Sequence, residues 1–178
     1  MTYSMDEIMD MLDWNQPEEI QSLGRSLARE IRCINVFLRP LHKGHGKNVW
    51  DNCALILAQR SDEELCPYLS ELFEWLIDMN WPGAFCIEER LRHYEDKSLL
   101  YFPLRICLKR AIYDNEGSWL ESLLSFCNDI PKNTFGIDWK DNWNIDDMIE
   151  KAQQLLSAGK SGCDIASEIR TEIFTSTQ

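Results

Sequence analysis

Between Leu65 and Tyr94 apolar residues recur at helical steps on both sides of Pro82, and this stretch constrains the fold most. Before the proline, Leu65, Leu69, Leu72, Phe73, Leu76 and Ile77 follow one another at intervals of three and four, which makes a single apolar helical face. The run Trp75-Leu-Ile-Asp-Met-Asn-Trp-Pro-Gly-Ala-Phe-Cys-Ile87 then reads as a helix end, a tight corner and a second helix start. Proline is tolerated best in a first helical turn, where its missing N–H would have had no partner. Pro82 is therefore expected in the first turn of the second helix, with Asn80 or Asp78 capping its free N–H groups. Ala84, Ile87, Leu91 and Tyr94 carry the apolar stripe onward, with Phe85 and Cys86 beside it. This is a helix hairpin.

The remaining chain repeats the pattern. Ser4-x-x-Glu7 has the spacing of a capping box and opens a short helix with Ile8, Met9, Met11 and Leu12. Asp13-Trp-Asn15-Gln-Pro17 follows it, and Asp78-Met-Asn80-Trp-Pro82 has the same form, Asp-x-Asn-x-Pro. Each ends an apolar helix after an aliphatic residue, as a helical repeat would. Ile137-Asp-Trp-Lys-Asp-Asn142 is a weaker third echo without proline. From Pro17 a long helix is expected to bury Ile20, Leu23, Leu27, Ile31 and Ile34, extended by Val36, Phe37 and Leu38 as far as Pro40.

A polar loop, His42-Lys-Gly-His-Gly-Lys47, precedes a helix with Val49, Cys53, Leu55, Ile56 and Leu57, capped by Asn48 or Asp51. Ser61-x-x-Glu64 is a second capping box and Ser118-x-x-Glu121 a third, opening a helix with Leu120, Leu123, Leu124 and Cys127. Another helix carries Leu99, Leu100, Leu104, Ile106, Cys107, Leu108, Ala111 and Ile112, with Pro103 either near its start or kinking it. The pattern breaks over 131–144, around Gly136, Trp139 and Trp143, before two last helices at about 145–156 and 162–174. No sustained alternation supports a strand. The expectation is an all-α fold of stacked helical hairpins, a short solenoid or an irregular bundle. Its expected division is a repeat domain over 1–128 and a helical C-terminal extension over 129–178, packed on the repeat or appended to it.

The net charge of −12 bears on partners. It argues against a nucleic-acid surface, which needs clustered Lys and Arg, and it suits either a basic protein partner or plain solubility. Seven cysteines, at 33, 53, 66, 86, 107, 127 and 163, include no Cys-x-x-Cys pair and mostly fall within apolar helical stretches. Reduced, core-filling thiols are the economical account and imply a cytoplasmic setting. The start, Met1-Thr-Tyr-Ser-Met-Asp-Glu, is no secretory leader, and no apolar run is long enough to span a membrane.

Three segments carry a resemblance: Lys47-Asn-Val-Trp-Asp-Asn-Cys53, Arg60-Ser-Asp-Glu-Glu-Leu65 and Glu74-Trp-Leu-Ile-Asp-Met-Asn-Trp-Pro-Gly-Ala84. They resemble an uncharacterised bacterial family of small HEAT-like helical-repeat domains, whose signature Trp-Leu-x-Asp-x-Asn-Trp-Pro-Gly-Ala stands here from Trp75 to Ala84. The resemblance covers residues 5–128, and the tail after Asp129 departs from the pattern. It implies a right-handed HEAT-like superhelix of hairpins without an active site. It also implies a role as an immunity protein against a bacterial toxin, or as a simple interaction module. It supplies no catalytic residues.

Several groups invite a sharper reading. His42 and His45 could share a metal ion, but no third ligand lies near them in sequence. The same loop, with Arg39, Lys43 and Lys47, could hold a phosphate, against which stands an ordinary solvated loop without Walker spacing. Trp50, Trp75 and Trp81 could form a binding surface, or wedge between hairpins, which is the favoured reading for Trp81. Glu88, Glu89, Asp78 and His93 could be acid, base and partner. Glu89 and His93 at i,i+4 read better as an exposed ion pair. Gly-x-Ser-x-Gly and His-Glu-x-x-His are absent.

The expected function is therefore non-enzymatic and needs no cofactor. It is protein binding through a concave, acidic face, in its sharper form as an immunity-type inhibitor of a basic toxin. Neither nucleic acid nor membrane is expected as a partner. The structural signature is Asp13, Asn15, Pro17, Trp75, Asp78, Asn80, Trp81, Pro82 and Gly83, and the expected interaction residues are His42, His45 and Trp50. The rival is a small-molecule or metal-binding protein, or a hydrolase, using the His42–Lys47 loop. A third possibility is a scaffold subunit whose tail docks on the repeat.

Overall fold

The computed structural model describes residues 3–41, 44–127 and 145–176, with side chains at 145–149 and 172–176 left aside. Every regular element among them is helical, so the chain is all-α. In order, the helices are α1 (Met5–Met11), α2 (Glu18–Ala28), α3 (Lys47–Ala58), α4 (Asp62–Leu65), α5 (Leu69–Phe73), α6 (Ala84–Arg92), α7 (Tyr101–Tyr113), α8 (Gly117–Cys127), α9 (Ile145–Ser157) and α10 (Gly162–Ser176). Short 3₁₀ turns lie at Ile34–Phe37, Cys66–Tyr68, Glu74–Ile77 and Lys97–Leu100. The chain forms two compact units, 1–75 with 79–94 and 76–78 with 95–178.

In the first unit α1 packs on α2, α2 on α3, and α3 and α5 on α6. The capping boxes at Ser4–Glu7 and Ser61–Glu64 form as read, each hydroxyl accepting a backbone N–H and each carboxylate accepting the N–H of the capping residue. The helix expected before the corner is broken into α4, a 3₁₀ turn starting at Cys66-Pro67, and α5. Pro67 is the cause, because it cannot donate to the turn before it. The apolar stripe survives: Leu65, Leu69, Leu72, Phe73 and Leu76 are all buried, as are Ala84, Ile87, Leu91 and Tyr94 beyond the corner.

In the second unit α7 packs on α8, and α10 covers α7, α8 and α9. Pro103 is the third residue of α7, within the first turn, and leaves no kink to explain. Gly117 and Gly162 bring the starts of α8 and α10 into backbone contact, since a Cβ on either would overlap the other strand of chain. The third capping box does not form. α8 begins one residue before Ser118, whose hydroxyl is already inside the helix, and Glu121 turns away to accept the N–H of Gly162 at 2.5 Å.

α9 and α10 thus lie in the same unit as α7 and α8 and pack on them. Residues 128–144 are outside the described structure, and with them Trp139, Trp143 and the third echo at 137–142. Among the described residues no helix is long and apolar enough to cross a membrane. All seven cysteines are thiols, but Cys33, Cys66 and Cys163 are exposed and Cys86 is half-buried, so only Cys53, Cys107 and Cys127 fill the core.

Candidate functional site

The signature corner is built around three indoles. Trp75 is fully buried in the 3₁₀ turn that follows α5, and its Nε1 donates to the Pro82 carbonyl at 2.9 Å. Trp50, buried on α3, donates to the Pro40 carbonyl at 2.9 Å. Trp81 is half-buried and meets Trp50 edge to face, with centroids 5.3 Å apart, while Trp50 meets Trp75 at 6.2 Å. Two cations lie over Trp81, the Arg39 guanidinium at 5.5 Å and the Lys47 ammonium at 5.2 Å. Arg39 also pairs with Glu74, and its backbone takes φ +47°, a conformation a non-glycine residue holds only under tertiary constraint. With two of its three indoles buried, the cluster is not an open aromatic surface.

The corner itself differs from expectation. α6 begins at Ala84, so Pro82 precedes the helix, and neither Asp78 nor Asn80 caps it. Gly83 is the cap, with φ +80°, and a Cβ there would run into Ala54 and stand 3.0 Å from the Trp50 carbonyl. Glycine is demanded twice, by backbone conformation and by space. In the matching Asp13-x-Asn15-x-Pro17 segment the proline itself precedes α2 directly. There Asp13 Oδ1 accepts both the backbone N–H and the side-chain amide of Asn15 at 2.8 Å, an Asx turn. The two segments share a sequence form and differ in their helix register by one residue.

The loop before α3 is not uniformly solvated. His42 lies outside the described residues, but His45 is buried and its Nε2 is 2.8 Å from Asp10 Oδ1. Asn48 does not cap α3 through its own helix; its Oδ1 accepts the Gly46 N–H at 2.8 Å and its Nδ2 donates to Asp13 Oδ2 at 2.5 Å. Burial raises the Asp13 carboxyl, yet the amide donors of Asn15 and Asn48 and the neighbouring His45 outweigh it and hold the group below its ordinary value. Among the described residues no group of three or more His, Cys, Asp or Glu could hold a metal ion. Glu88 pairs with Arg92, and His93 Nδ1 lies 2.8 Å from the Glu89 carbonyl, so the expected Glu89–His93 ion pair is replaced by a backbone contact.

One surface escaped the sequence reading. Ile20 and Leu23, expected in the core, are 37% and 40% exposed, and Leu27 is only half-buried. α2 instead rests on its small residues. Gly24 and Ala28 are buried, and a Cβ at Gly24 would approach the Met11 Cβ to 2.8 Å. That close approach turns the larger apolar row outward. Gly24 and Ala28, four residues apart on one face, were the signal in the sequence. Polar groups finish the inner face: buried Asn52 of α3 donates to the Leu12 carbonyl and to Gln21 Oε1, both at 2.7 Å, and accepts from Arg25 at 2.5 Å.

No curated protein and no solved structure matches this chain. A family described as Domain of unknown function (DUF5071) matches residues 47–172. The match therefore takes in α9 and most of α10 and leaves out α1 and α2, whereas the resemblance read from sequence ran over 5–128. With most of its length inside that match, the chain belongs to the DUF5071 family.

Proposed function

We propose that this protein works by binding another protein, without catalysis of its own. The observation that supports the reading is the set of large apolar side chains left outside in a chain of net charge −12: Trp14, Ile20, Leu23, Leu55 and Phe85 in the first unit are 37–69% exposed. Apolar groups within an acidic surface suit a partner that is apolar where it is buried and basic at its rim. In its sharper form the protein is an immunity-type inhibitor of a basic bacterial toxin, and its hairpins continue as a HEAT-like superhelix.

The test is genetic and biochemical together. The gene is expected beside a larger gene encoding a basic effector, and coexpression of the two is expected to give a complex that survives gel filtration. Loss of the complex in high salt on the association side, with little change in dissociation, would mark the electrostatic part. A neighbour whose product never associates with this chain overturns the inhibitor reading.

A further inference from the structure

The outer row of α2 is an unpartnered ridge with a charge pattern of its own. Leu23 and Leu27 are four residues apart, and Ile20 lies three before Leu23, so the three share one side of the helix. Glu19 stands one turn before Leu23 on that side, and Glu30 lies in the turn that closes the helix beyond Leu27. Both carboxylates are exposed and without an ion pair or hydrogen bond among the described residues. The basic groups of the helix and its C-cap are engaged on the opposite edge, Arg25 with Glu18 and Asn52, and Arg29 Nε with Gln59, the residue that caps α3, at 3.1 Å. The ridge is thus apolar at its centre and negative at both ends.

We infer that this ridge docks a basic amphipathic helix of the partner protein. The inference rests on the protein-binding reading and assigns it a place. A row at i, i+3 and i+7 fits the groove between rows of a second helix. Strand addition needs a free sheet edge, and the described residues provide none. Lysines or arginines flanking the partner's apolar face would meet Glu19 and Glu30 at the rim. The ridge lies on the α1–α2 hairpin, before the first residue of the family match.

The experiment titrates the isotope-labelled full chain with a short helical peptide bearing leucines on one face and lysines on the other. The same peptide with glutamates for lysines is the control. The expected result is saturable binding of the lysine peptide alone, with amide shifts concentrated over residues 14–31. Leu23→Asp, a substitution at an exposed site that keeps the helical circular dichroism, is expected to weaken binding about tenfold. Glu19→Lys with Glu30→Lys is expected to weaken it more at low salt than at high salt.

Shifts on another face, such as that of Leu55 or Phe85, overturn the assignment and leave the protein-binding reading standing. Binding of neither peptide overturns it too, while the coexpression test still decides that reading. Equal binding of both peptides removes the charge argument and with it the proposed occupant. Self-association abolished by Leu23→Asp makes the occupant a second copy of this chain, which also overturns the proposal.

Discussion

The indole N–H of Trp75 reaches around the corner to the carbonyl of Pro82, 2.9 Å away, and ties the end of one helical run to the approach of the next. Because Trp75 is completely buried, the bond is made where water cannot replace it. Trp75→Phe is expected to cost about 2–3 kcal/mol in urea denaturation, from the orphaned carbonyl and the smaller ring. Trp81→Phe keeps an aromatic face under Arg39 and Lys47 and should cost less than about 1 kcal/mol. Equal costs at the two sites would mean that the corner does not depend on the Trp75 bond.

Gly83 and Gly159 separate conformation from space. Both have positive φ, +80° and +82°, but a Cβ at Gly83 meets Ala54 and the Trp50 carbonyl whereas one at Gly159 meets nothing. Alanine at Gly159 is expected to cost about 1 kcal/mol for backbone strain alone. At Gly83 the steric overlap adds to the strain, and a loss of about 3 kcal/mol or more is expected. Thermal unfolding of the two variants checks the order, which fails if Gly159→Ala is the worse.

Asn52 joins three helices through one amide, and it is the interior group whose loss leaves most behind. Asn52→Leu removes the donor to the Leu12 carbonyl and the acceptor for Arg25 at a buried position. A destabilisation of about 2–4 kcal/mol is expected. Hydrogen exchange should quicken first in α1 and α2, which depend on Asn52, while α7 and α8 in the other unit keep their protection. Uniform quickening would show that the hairpin has no stability of its own to lose.

The Asp13 carboxyl titrates below its ordinary value, so its contribution has a defined sign. A depressed folded-state value means stability present above the unfolded value, near 3.9, and lost as pH falls through the folded one. Exchange of the α1 amides is therefore expected to accelerate, after correction for intrinsic rates, as pH drops below about 4. Asp13→Asn cannot titrate and should flatten that dependence. An unchanged acid response in the variant would place its origin elsewhere.

Helix content and many ends followed from local chemistry alone. Ser4 and Ser61 cap their helices because hydroxyl and carboxylate three residues apart satisfy backbone donors whatever lies further off. The stripe from Leu65 to Tyr94 was readable because burial follows periodicity, and it persisted even where Pro67 broke the helix into shorter turns. Ser118–Glu121 had the same spacing and formed no box, because Gly162, 41 residues away, offered Glu121 a better donor. His45 read as part of a solvated polar loop and is buried, its Nε2 2.8 Å from Asp10 Oδ1, a partner 35 residues away that local pattern does not reveal.

Sequence by itself determined that this chain is helical, where most of its helices start, and which rows of side chains are apolar. It could not determine which side of α2 would be covered. Periodicity marks an apolar face, but the partner helix decides what part of it is buried. Here α1 approached over Gly24, the residue least obstructive to a backbone, and Ile20 and Leu23 were left in solvent. Tertiary structure alone made that choice, because close approach is a property of two helices and is written in neither of them separately.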